Sequence, residues 1–184
     1  MSKADFEKFV ERQKQEEKEL AAFDPEQEIK DWLEYLDNLY SDISMYMASY
    51  IEAESAVIDY RDIELNEEFS GPYKVRQMSL KIGNSTVAFK PLGTMLIGAK
   101  GRVDVQGPHG IARLVLIAKK VASASQLFRV TVSTLDAPKA PEPPQEDVKK
   151  IEWVWKIASP APNMHFIELT QDTFFDMILS VADV

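Results

Sequence analysis

Apolar residues between Ile29 and Tyr50 recur at Ile29, Leu36, Ile43 and Tyr50 and at the intervening Trp32/Leu33, Leu39/Tyr40 and Tyr46/Met47. That spacing lays a single apolar stripe along a helix. The start is marked by Asp24, a good cap, by Pro25 at the first helical position, and by Glu26 and Glu28 at the positive end of the dipole. The pattern predicts a long amphipathic helix over 24–54 lying across a sheet, since a strict coiled-coil heptad runs further. Ahead of it, 1–23 is a charged helix-forming stretch with only Phe6, Phe9, Val10 and Leu20 to bury, which predicts a first helix that is mobile or docked only by its ends.

After Tyr50 the period shortens. Ala56 to Leu65 alternates β-branched residues with charges, and Lys74 to Ile82 and Ser85 to Leu92 are alternating runs joined by Gly83-Asn84, a two-residue link suited to a tight hairpin. Gly101 to Gln106 and Ile111 to Lys119 flank the turn Gly107-Pro108-His109-Gly110, and Leu114 to Ala118 is apolar on both faces, as a central strand requires. Leu127 to Leu135 reads as a strand with one wet face. The run 136–147 holds four prolines and reads as an extended connection. Ile151, Trp153, Trp155 and Ile157 share one side of a further strand, Met164 to Leu169 is a short one, and Thr170 caps a last helix expected to bury Phe174, Phe175, Ile178 and Leu179. The expected fold is α+β: two N-terminal helices, about seven mostly antiparallel strands in one twisted sheet, and a short C-terminal helix, because short hairpin links leave no room for crossover helices. All of 1–184 reads as one domain, with the sheet over 55–135 and the closing strands and helix over 148–184.

Charge changes the picture. Residues 1–68 carry 20 acidic against 7 basic residues, 69–134 carry 10 basic residues against Asp104 alone, and 135–184 carry 9 acidic against 4 basic, for a net charge of −9. Blocks of this size steer association without specifying chemistry. Apolar residues make up 45% and charged residues 28%, and no run of about 18 apolar residues exists to cross a bilayer. The charged N-terminus lacks the apolar core of a secretory signal, so a cytoplasmic location is expected. With no cysteine, disulfides, zinc thiolates, iron–sulfur ligation and cysteine nucleophiles are excluded together.

Candidate chemistry is sparse. His109 sits in a glycine turn and His165 in a strand, neither in a metal-ligand spacing, and no serine lies in a nucleophile elbow. No cofactor, metal site or catalytic residue is expected. Carboxylates cluster at Glu52/Glu54, Asp59/Asp62/Glu64 and Glu67/Glu68, without a calcium-loop pattern, and read as solvated faces. Gly98-Ala99-Lys100-Gly101-Arg102 has flanking bases around two glycines but lacks the context of a phosphate loop, so a sheet turn explains it. Trp153 and Trp155 have the look of a base-stacking pair, yet Ile151 and Ile157 on the same side favour a core role.

Three functions compete. The first is a non-catalytic protein-binding module, like the small acidic immunity proteins that bacteria pair with toxins in charge, size and lack of motifs; its partner would present a basic surface. The contact residues would be Glu28, Asp31, Glu34, Asp37, Asp42, Glu52 and Glu54, which the apolar stripe leaves pointing outward. The second is nucleic-acid or anionic-ligand binding through the basic sheet, with Lys100, Arg102, Arg113 and Arg129 as anion contacts; overall acidity opposes a long phosphate backbone. The third is an enzyme acting on a small anion, for which no base or nucleophile stands out. The acids have a fourth use, as an intramolecular match to the basic sheet. The expected assembly is a monomer or homodimer away from membranes.

Overall fold

The computed structural model describes residues 24–67, 70–94, 99–120, 152–160 and 164–183, together with 6, 7, 9–11 and 14. Helix α1 (Pro25–Tyr46) begins as its sequence dictates: the Asp24 carboxylate accepts from the amides of Glu26 and Gln27 at 3.1 and 3.2 Å. It ends at Met47, and a short helix α2 (Ala48–Glu52) follows, so the helix expected over 24–54 is two segments. The described residues of the N-terminal stretch are helical, with Phe6 and Phe9 facing each other 6.3 Å apart and both exposed rather than buried.

Seven strands follow: β1 (Ala56–Glu67), β2 (Gly71–Ile82), β3 (Ser85–Gly93), β4 (Gly101–Gln106), β5 (Ile111–Ala118), β6 (Trp153–Ala158) and β7 (Phe166–Glu168). They lie in chain order in one sheet, every pairing antiparallel, so the described fold is α+β with a β-meander. The strand expected at 127–135 and the proline-rich run 136–147 lie outside the described residues. The two ends of that excursion meet, because the Lys119 amide donates to the Glu152 carbonyl at 2.9 Å.

β1 and β2 are longer than β3, and this has a geometric consequence. β3 pairs with β2 only from Met78 onward, leaving Gly71 to Gln77 paired with β1 alone. The alternation slips at that boundary: Ala56 and Ile58 are the inward positions of β1 before it and Ile63 and Leu65 after it, while β2 buries Gln77 and Met78 in succession. A two-stranded ribbon released from its third neighbour twists more strongly, which carries its far end over the edge of the core.

Helix α3 (Gln171–Ala182) opens with a reciprocal cap between Thr170 and Thr173. It buries Phe174, Met177, Ile178 and Val181; Phe175 is half-buried and Leu179 is 58% exposed, which corrects the expected set. The buried apolar residues form a main cluster and a smaller second one of Ile117, Ala158 and Phe166. Trp32, Leu36, Leu39, Tyr40 and Ile43 of α1 and Phe174, Met177 and Val181 of α3 pack on one face of the sheet, against Leu80, Phe89, Val103, Val105, Leu114 and Ile157. The Trp32 and Trp155 rings lie 5.9 Å apart, and the Trp155 indole donates to the Tyr35 carbonyl at 3.1 Å, so the expected core role of Trp155 holds.

Gly101 is a point of close approach: a Cβ there would fall 2.1 Å from the Trp32 ring. Gly101→Ala is expected to destabilise the fold by about 1–3 kcal/mol through overpacking, read as a lower urea midpoint with an unchanged slope.

Candidate functional site

Acidic side chains project from α1 and α2 on the side away from the sheet, but the seven expected contact residues divide into two sets. Glu28 and Asp31 lie 3.4 and 4.0 Å from the Lys100 ammonium, and Asp37 lies 2.6 Å from Arg76. These three clasp the helix to cations at the margins of the sheet, so the intramolecular match accounts for part of the acidic block. Glu34, Glu52 and Glu54 are exposed and Asp42 half-buried, and none of the four makes an ion pair among the described residues.

Glu54 is held in an unusual way. It adopts a left-handed backbone, φ 54°, and the Ser55 amide donates back to the Tyr50 carbonyl at 2.9 Å, closing α2 as glycine ordinarily does. A glutamate at this position carries the steric cost of that conformation, roughly 1 kcal/mol.

The basic block is likewise split. Arg76 and Lys100 turn toward α1, and the Lys100 ammonium also sits 5.7 Å from the centre of the Trp153 ring. Lys81, Lys90, Arg102 and Arg113 alternate with the buried Leu80, Phe89, Val103 and Leu114 and therefore occupy the opposite face of the sheet. There Arg102 is engaged by Asp104 through two bonds, at 2.7 and 2.9 Å, and Lys90 donates to Gln106. Arg113 is exposed with no hydrogen bond or ion pair among the described residues. Arg129 lies outside them. The four expected anion contacts are thus not gathered into one site: Lys100 is on the helix side, while Arg102 and Arg113 both neighbour Asp104 on the far face, Arg102 bonded to it and Arg113 opposite it across β4 and β5.

The remaining motifs resolve into structure. The Lys100 amide donates to the Leu116 carbonyl at 2.8 Å, so that amide is committed to the sheet and not offered to a phosphate; Gly98 lies outside the described residues. His109 is exposed in its turn, where its amide donates to Val181 at 2.9 Å, and the His165 amide donates to Ser159 Oγ at 2.8 Å. Among the described residues no group of three or more His, Asp or Glu side chains is placed to hold a metal ion, and no helix is long and apolar enough to cross a membrane. Glu68 lies outside the described residues.

Glu67 had looked like one more surface acid. Its carboxylate instead accepts from the Tyr73 hydroxyl and from the Thr94 amide and hydroxyl at 3.0 and 2.9 Å, latching the tip of the β1–β2 ribbon to the end of β3. No local pattern signals the bonds to Thr94, which lies 27 residues away. Burial, foremost, raises the Tyr73 hydroxyl above the usual tyrosine range, and the bond to Glu67 adds to it. Burial raises Tyr40 in the same way, with Tyr60 and Asp37 contributing; its hydroxyl donates to the Arg76 carbonyl at 2.9 Å.

No protein-family model, curated protein or solved structure matches this chain.

Two outcomes are expected. Glu54→Gly relieves the left-handed strain and raises stability by about 0.5–1 kcal/mol after the entropy that glycine adds to the unfolded chain, measured by urea denaturation beside a Glu54→Ala control that brings no gain. Because Tyr40 and Tyr73 keep their protons in the folded state while unfolded tyrosine loses its own near pH ~10, stability is full below that pH and falls as pH rises above it. Urea midpoints between about pH 9 and 11 are expected to decline less steeply in Tyr40→Phe than in the parent chain.

Proposed function

We propose that this chain is a non-catalytic protein-binding module, of the acidic inhibitor or immunity type, that meets a cationic protein partner with the outer side of α1 and α2. The observation that carries the reading is the set Glu34, Asp42, Glu52 and Glu54, which make no ion pair among the described residues. Between Pro25 and Glu54 the helical segment holds eight acids against Lys30 alone; Glu26 lies in the first turn of α1, Glu28, Asp31 and Asp37 meet Lys100 and Arg76, and these four have no cation among the described residues. An uncompensated acidic surface on a rigid helix raises encounter rates with a basic partner and disfavours acidic ones. The left-handed Glu54 adds support, because a carboxylate is kept there at a cost in stability.

A second reading rests on the far face of the sheet, where Lys81, Lys90, Arg102 and Arg113 lie opposite the helices. This separation leaves a polyanion room to bind without meeting α1. Asp104 and the net charge of −9 weaken the field it would feel.

The test is affinity capture from the protein's own cell lysate at moderate salt, with the parent chain beside Glu34→Lys/Asp42→Lys/Glu52→Lys/Glu54→Lys. These four make no ion pair among the described residues, so the variant is expected to fold. The parent chain should retain a basic protein in stoichiometric amount, and the variant should bind it at least about a hundredfold more weakly, with most of the loss in association rate. Undiminished capture by the variant would sink the acidic-face reading. Recovery of nucleic acid that washes off as salt rises would favour the sheet face instead.

A further inference from the structure

The two edges of the sheet are not alike. At one end β7 has three residues, and so short an edge offers little template for another strand. At the other, β1 has twelve, a length of about 40 Å, and among the described residues no strand pairs with its outer side. The backbone N–H and C=O groups directed that way have no ladder partner there. No proline, lysine or glycine interrupts Ala56–Glu67, and Val57 and Tyr60 stand 48% and 44% exposed along it. Edges that face only water are ordinarily short, or carry proline or lysine.

The order of the charges on β1 decides which partner it fits. When two identical strands pair antiparallel about a two-fold axis, the axis stands perpendicular to the sheet, opposed residues share a face, and the register is set by the residue that meets its own copy. With Asp59, Arg61, Asp62 or Glu64 at the centre a charge meets itself, and with Ile63 there Asp62 meets Glu64. With Tyr60 at the centre, Asp59 faces Arg61 of the second copy and Arg61 faces its Asp59, both pairs on one face, while Val57 meets Ile63. Among two-fold registers that pair more than half of β1, this is the one that opposes no like charges. The two charged groups are placed for it: Asp59 is exposed with no ion pair among the described residues, and Arg61 spends one of its donors on Gln77 at 3.1 Å, which holds the guanidinium on the sheet and leaves the rest for a carboxylate.

We propose that β1 pairs with β1 of a second copy of this chain, antiparallel about a two-fold axis at Tyr60, so that two sheets become one continuous sheet. Pairing supplies roughly one backbone hydrogen bond per opposed residue pair, and the two contacts between Asp59 and Arg61 fix the register. The net charge of −9 opposes approach from a distance, but that field is screened beyond about 8 Å at physiological salt, whereas strand pairing acts in contact. The interface is separate from the outer side of α1 and α2 and stands or falls without the reading of that surface.

Sedimentation equilibrium of the full chain at about 0.15 M salt tests this. The parent chain is expected to be a dimer that dissociates on dilution. Asp59→Arg sets cation against cation at both contacts and Arg61→Asp sets acid against acid, so each alone should weaken self-association at least about tenfold while keeping the circular dichroism of the parent. Mixed in equal amounts, the two variants present opposite charges at both contacts and should form a heterodimer, a rescue that two merely misfolded variants would not give. The chain has no cysteine, so Tyr60→Cys supplies a single thiol, which should cross-link copy to copy on mild oxidation. Directly opposed residues have Cα atoms about 4.5–5.5 Å apart, within disulfide reach, whereas two copies of Val57→Cys would lie about 20 Å apart and should not cross-link. A parent chain that stays monomeric up to roughly millimolar concentration would overturn the proposal and leave the edge to a strand of a different protein. So would a dimer indifferent to Asp59→Arg, or equal cross-linking of the two thiol variants.

Discussion

Almost everything in this fold depends on burying the apolar stripe of α1 against one face of an antiparallel meander. Five side chains of that helix, Trp32, Leu36, Leu39, Tyr40 and Ile43, are essentially removed from water, and at roughly 1.5–3 kcal/mol each this contact outweighs any polar interaction in the molecule. Its closest point is Trp32 over Gly101, where the absence of a side chain lets the indole lie on the strand and reach Trp155. A sheet with one face so covered turns its other set of side chains away from the helices, and that division decides where each charge can act.

The segregation of acids and bases along the chain becomes a segregation in space, with a seam. Glu28, Asp31 and Asp37 meet Lys100 and Arg76 where helix and sheet margins touch, and these pairs are exposed or half-exposed, so each contributes no more than about 1 kcal/mol. Their effect is on orientation more than on stability. Away from the seam the acids of α1 and α2 and the cations of the far sheet face point in opposite directions, giving the protein two unlike surfaces. A cleft beside α3 is a third, apolar one.

Much of this was legible in residue order, for a local reason. The start of α1 follows from Asp24-Pro25, the β2–β3 hairpin from Gly83-Asn84, and the cap of α3 from Thr170, because each is an interaction among residues a few positions apart. Less legible were the break of the helix at Met47 and the phase of α3. Phe174, Phe175, Ile178 and Leu179 form a plausible stripe, but the helix turns Met177 and Val181 inward because the core it docks on is already shaped by α1 and β3. The candidate site shows the same limit: a count of carboxylates does not distinguish Asp37, paired with Arg76 across 39 positions, from Glu34, which has no partner among the described residues.

The sequence by itself determined the α+β class, the antiparallel hairpin links, the charge blocks and the absence of cysteine chemistry, since periodicity, turn residues and composition act at short range or are simple totals. Only the tertiary structure decided which acids are spent on Lys100 and Arg76, that Glu67 latches the ribbon to Thr94, and that Arg102 and Arg113 neighbour Asp104 on the far face of the sheet. Those outcomes depend on which residues distant in the chain are brought within a hydrogen bond of one another, and that is set by strand register and by how the helices dock on the sheet, neither of which any local pattern encodes.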